Sequence, residues 1–195
     1  MNGRSGQPTR RSTRSTLYLS VPEQMQLLSR GQEDLTDGEI ATRLFLSVPI
    51  HPTVLEHPIS YGLSMGLRYY SFHRAKTDKK VMGAWSAAMT DPAVIGKVLP
   101  LSGATRRWYH QLTSDHAQDR GIADLCGPLR LRHTYFCNLA RLGTDPFSIA
   151  HRSGTGLASI YQHYTVGMGE SSLLSPEELL FLMWLMLPGK SEERT

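Results

Sequence analysis

Between residues 104 and 164 the chain spells out helices and their ends almost without interruption. A helical period runs through ATRRWYHQLTSDHAQDRGI and stops at Gly121. Another covers about 131–142 (LRHTYFCNLARL) and stops at Gly143. A third opens on Thr144 or Asp145 with Pro146 in its first turn and stops at Gly154, and a short helix follows over about 157–164. The stop glycines at 121, 143 and 154 and the Thr144 or Asp145 cap before the third run satisfy orphan backbone groups of helix ends. Such a succession excludes an all-β fold and predicts short helices packed on one another.

The rest of the chain fits around this block. Ser20, with Pro22 and Glu23 behind it, caps a helix carrying Met25, Leu27 and Leu28. A second helix is predicted from about Asp37 through Ile40, Leu44, Phe45 and Leu46, ending at Pro49. From Ile59 to Met82 the period changes: Tyr61, Leu63, Met65, Leu67 and Tyr69 alternate with small or polar residues, as in a strand, and Lys76–Lys80 (KTDKK) reads as a charged hairpin tip. Ser175-Pro-Glu-Glu opens a last helix, 175–187, with Leu179, Leu180, Leu182, Met183, Trp184 and Leu185. The predicted fold class is mainly α with a small antiparallel sheet (α+β).

The apolar run Leu179–Leu187 falls short of the roughly 20 residues of a membrane span. The polar, Arg-bearing start lacks the apolar segment of a signal peptide. Cys126 and Cys137 match no zinc or redox spacing and read as reduced, buried thiols of a cytoplasmic protein. No metal or cofactor is expected. Residues 1–16 are predicted to be a disordered basic arm, 17–189 one domain and 190–195 a tail.

Charge is uneven. The net +4 hides an arm of four arginines (Arg4, Arg10, Arg11, Arg14), a +6 block over 68–107 and a +3 block over 130–152, set among acidic stretches. Either these islands meet a polyanion such as DNA, or they are solvated helix faces.

The stretch Gly121–Thr165 carries Leu129-Arg-Leu-Arg132-His133-Thr134-Tyr135, then Leu142-Gly143-Thr-Asp145-Pro, Ser153-Gly154-Thr155 and Ile160-Tyr-Gln-His-Tyr164-Thr165. It resembles the C-terminal catalytic motif of the tyrosine recombinases, the phage-integrase family. The spacings of 23 residues from Arg132 to Thr155 and nine from Thr155 to Tyr164 match the family without a gap. The resemblance implies the recombinase catalytic fold, double-stranded DNA as partner, and strand cleavage and rejoining through a 3′-phosphotyrosyl bond without metal or ATP. It assigns Tyr164 as nucleophile, with Tyr161 as competitor, and Arg132 as the second of two arginines that clamp the phosphate; paired guanidinium donors match its geometry.

For the first arginine it offers Arg68, in Gly66-Leu67-Arg68, or Arg43, which has the better spacing and a helical setting. For the lysine that protonates the leaving oxygen it offers Lys76 in the hairpin tip. The sequence departs from the family at two histidines, which fall on Leu129 and Thr155. His151, one helical turn before Thr155, is a candidate substitute at the phosphate. The resemblance covers no separate clamp domain. It also implies self-association on DNA through the C-terminal helix, whose other role is to close the core. Two further readings stand beside the enzyme: a catalytically impaired, DNA-binding relative, and an unrelated helical protein.

Overall fold

The computed structural model describes residues 18–28, 35–51, 60–64, 67–74, 79–89, 106–122, 126–161, 168–169 and 173–189. The arm, the tail, Lys76 and Tyr164 lie outside the described residues.

Helix α1 (Val21–Leu27) begins at the capping box read from the sequence: Glu23 N donates to Ser20 Oγ, and the Glu23 carboxylate accepts from Ser20 N at 2.7 Å. Helix α2 (Asp37–Ser47) is capped by Thr36 and is buried from Gly38 to Ser47. An amphipathic surface helix would expose its polar face; α2 buries even Glu39, Thr42, Arg43 and Ser47 and forms the centre of the core. It packs against α3 (Arg106–Asp119) and α4 (Pro128–Arg141). The approach to α3 is close enough that a Cβ on Gly38 would lie 2.7 Å from the His116 Cβ.

The strand signal resolves into three antiparallel strands in the order β1 (Ser60–Ser64), β2 (Leu67–Arg74), β3 (Lys79–Ala84). Register pairs Tyr61 with Tyr70, Phe72 with Val81 and His73 with Lys80. Tyr70, Phe72 and Val81 share the buried face, whereas His73, Lys80 and Met82 share the exposed one. This corrects one expectation: Lys79 and Lys80 belong to strand β3, not to the hairpin tip, because pairing with His73 and Arg74 extends to them.

Helix α4 starts at Pro128, three residues before the apolar pattern, since proline suits the first helical position. A reciprocal amide pair joins it to α1: Gln24 Nε2 donates to Asn138 Oδ1 at 3.1 Å and Asn138 Nδ2 to Gln24 Oε1 at 2.7 Å. Helix α5 (Pro146–Ser153) is capped by Asp145, which accepts from Ser148 N at 2.9 Å. It ends at Gly154 with φ +60°, the left-handed region that favours glycine. Residues 157–161 are helical. Helix α6 (Pro176–Met186) puts Phe181, Leu182 and Leu185 into the main core and leaves Leu179, Leu180 and Met183 exposed. Among the described residues no helix is long and apolar enough to cross a membrane.

Candidate functional site

The site is built where α4, α5 and the edge strand β3 converge. Arg132 projects from α4, is only 3% exposed, and lies with its guanidinium 4.9 Å from the Phe136 ring centroid. Nη1 donates to the Pro49 carbonyl in the turn after α2, and Nη2 donates to Thr155 Oγ1 at 2.6 Å. Thr155 is fixed in turn by its own N–H, which donates to the Ala150 carbonyl and Ser153 Oγ, each at 3.2 Å. The left-handed turn at Gly154 delivers Thr155 back toward α4, so the spacing of 23 residues closes into direct contact.

Thr155 opens onto a groove of about 710 Å³ between β3 and α5, lined also by Lys80, Met82, His151 and Gly156. Lys80 and His151 are exposed and face the groove from opposite walls. A threonine hydroxyl, an imidazole and an ammonium therefore share one concavity, with a guanidinium directly behind the hydroxyl. An oxyanion is the ligand such a donor set fits. Among the described residues no group of three or more His, Cys, Asp or Glu is placed to hold a metal ion.

The other sequence candidates are placed differently. Arg68 is half-buried in β2, on the sheet face opposite that of Lys80, and five residues from His73, the partner of Lys80. That is about 17 Å along the strand. Arg43 is fully buried: Nη2 donates to Glu39 Oε1 at 2.9 Å, and Arg120 Nη2 reaches the other Glu39 oxygen at 2.9 Å. Nη1 of Arg43 donates to the Ala88 carbonyl at 3.2 Å. Burial lowers the Arg43 pKa, opposed by its hydrogen bond and charge pairing with Glu39. This arginine ties α2 to its neighbours and presents nothing to solvent. Leu129 is 44% exposed on the first turn of α4, and Tyr161 is 43% exposed at the end of the described helical turn.

Lys80 is the site residue that the sequence reading did not single out. Its signal was the strand register, which a charged run does not display. The buried Tyr70 and Tyr135 phenols, one on the sheet and one on α4, influence each other's ionisation. Burial pushes the Tyr135 phenol up to about 12, against the nearby Arg152 and Arg132 charges, and raises Tyr70 well above its ordinary value.

No protein-family model matches the chain, and no curated protein sequence matches it. Solved structures do. XerH site-specific recombinase, bound to its palindromic difH substrate in a post-cleavage complex, superposes with TM-score 0.58 at 11% identity, over 75% of this chain and 48% of its own. XerA recombinase superposes with TM-score 0.57 at 18% identity, over 90% of this chain and 65% of its own. The fold is that of the tyrosine recombinases.

Within the tyrosine-recombinase fold, the chain spans about half of one of these proteins and just under two thirds of the other. The basic islands also look different once placed in it. In the 130–152 block Arg130, Arg132 and Arg141 are buried and only Arg152 is exposed, so that island is neither a solvated helix face nor a broad surface patch.

Proposed function

We propose that the chain binds double-stranded DNA and cuts and rejoins one strand through a 3′-phosphotyrosyl intermediate, in DNA integration or site-specific recombination. The observation that carries this reading is the Arg132–Thr155 hydrogen bond at the wall of a groove that Lys80 and His151 also line. The Tyr164 phenol gives up its proton to solvent as its oxygen attacks the phosphorus, the bond to the 5′ oxygen breaks, and that oxygen leaves as a hydroxyl after taking a proton. Arg132 and Thr155 hold the nonbridging oxygens and His151 reaches the same phosphate, whereas Arg68, on the opposite face of the sheet, does not join them. The proton donor is a lysine of the β2–β3 hairpin. Lys76 has the motif context, and Lys80 lines the groove. A second copy docks on the exposed face of α6, where Leu179, Leu180 and Met183 stand out from the core.

One observation favours a second reading, the impaired DNA-binding relative: both terminal nitrogens of Arg132 are engaged by protein acceptors, and Leu129 supplies no proton. A nicked suicide DNA substrate separates the two. A covalent adduct that survives denaturant and disappears in Tyr164→Phe establishes the enzyme, whereas DNA binding without an adduct selects the relative. Adduct formation at the parental rate in His151→Ala removes His151 from the site.

A further inference from the structure

The groove at Thr155 has a neighbour. His151, which lines it, also lines a smaller cavity of about 300 Å³ together with Phe147, Ser148 and Arg152. Helix α5 buries Ile149 and Ser153, so Phe147 and His151, four residues apart, form one outward stripe, and Ser148 and Arg152 form the next. Phe147 is 66% exposed, more than any other aromatic among the described residues. A single exposed apolar residue is ordinary. This one stands over a cavity shared with an exposed guanidinium, and His151 lines both that cavity and the candidate phosphate site.

We propose that this limb binds one unpaired nucleotide of the DNA strand that passes through the groove, its base stacked on Phe147 and its phosphate on Arg152. The inference rests on the DNA reading above and extends it to a second subsite. A phenyl ring gains nothing from the charged edge of an intact duplex, whose base faces are hidden in the stack; it gains from an exposed base face. Phe147 stands about 6 Å along the helix from His151. The guanidinium beside the ring gives the nucleotide's phosphate its counter-charge and selects nucleic acid over an apolar peptide.

The test uses the full chain and two DNAs with the same duplex, one blunt and one with a three-nucleotide single-stranded extension carrying 2-aminopurine. The extended DNA is expected to bind about tenfold more tightly than the blunt one, with quenching of the 2-aminopurine. Phe147→Ala erases that preference and the quenching while leaving blunt-duplex affinity unchanged, and Phe147→Trp keeps both. Because the ring is largely exposed, the alanine variant folds, and Arg152→Ala serves as an independent variant expected to lower the salt dependence for extended DNA. Equal binding of both DNAs with no quenching overturns the subsite while leaving the DNA reading intact. Binding of neither DNA overturns both. A change of sedimentation in Phe147→Ala with the preference intact assigns the ring to a protein contact and overturns the proposal.

Discussion

Replacing Thr155 with valine probes the contact on which the candidate site turns. Valine keeps the shape and removes the oxygen that accepts from Arg132 Nη2 at 2.6 Å. The guanidinium is 3% exposed, so the freed N–H has little access to water. Hydrogen bonds to charged groups contribute about 1.5–3 kcal/mol, and leaving a buried donor unmade costs a similar amount. Thr155 itself is half-buried, and water entering from the groove offsets part of this, which places the loss near the lower bound, about 1.5 kcal/mol. For a chain of this length that corresponds to a fall in Tm of roughly 3–6 °C. Thr155→Ser keeps the oxygen and is expected within about 0.5 kcal/mol of the parent. Calorimetry reads the stability, and fluorescence anisotropy on a duplex oligonucleotide reads the site. If the bond positions Arg132 for a phosphate, valine weakens DNA binding and serine does not. A valine variant as stable as the parent that binds DNA more tightly refutes the reasoning, because Thr155 would then be a competitor for the guanidinium rather than its support.

Other perturbations address the surroundings. Glu39→Ala removes the carboxylate shared by Arg43 and Arg120 and strands a fully buried guanidinium, at an expected cost of about 3–5 kcal/mol by denaturant titration; a loss under 1 kcal/mol would falsify the anchoring role of Arg43. In the suicide-substrate assay, Lys80→Ala is expected to reduce adduct formation more than Lys76→Ala, and the reverse order returns the proton-donor role to the hairpin tip. Tyr135 has a folded-state pKa pushed up to about 12 against an ordinary value near 10, so its neutral form is favoured by folding. Its contribution to stability is complete below pH 10 and is lost as pH rises toward 12. Alkaline unfolding should therefore be shallower in Tyr135→Phe. Gly83→Ala places a methyl against the Tyr70 phenol and is expected to destabilise by about 1–3 kcal/mol in the same titration.

What the sequence displayed and what it hid divide along a physical line. Helix ends were legible because a cap is a local contract: Ser20 with Glu23, Asp145 with Ser148, Ser175 with Glu178 and the left-handed Gly154 each involve residues within a few positions. The resemblance supplied the spacing between Arg132 and Thr155 but not their contact, which one helix end, one turn and one capped helix bring about. Arg43 shows the limit. Its i,i+4 pairing with Glu39 is visible in the letters, but full burial of the pair depends on α3 and α6 closing over α2, which no local pattern announces. Lys80 was hidden by register, because the pairing with His73 that draws it into β3 is a non-local contact that the charged run does not display.

The same distinction alters how charge should be read in this fold. A basic block in a sequence counts charges without regard to where they point, and three of the four arginines between 130 and 152 point inward. Arg132 is separated from the groove by the hydroxyl it holds. Its positive field must therefore reach a bound phosphate either through Thr155, whose O–H is polarised by accepting from the guanidinium, or after Thr155 has let go. In the first case a threonine performs the donor role left open by a missing histidine, and the site is assembled before DNA arrives. In the second the phosphate must compete with two protein acceptors for one guanidinium, and affinity falls by the cost of breaking those bonds. The opposite effects expected for Thr155→Val on DNA affinity follow from that difference alone.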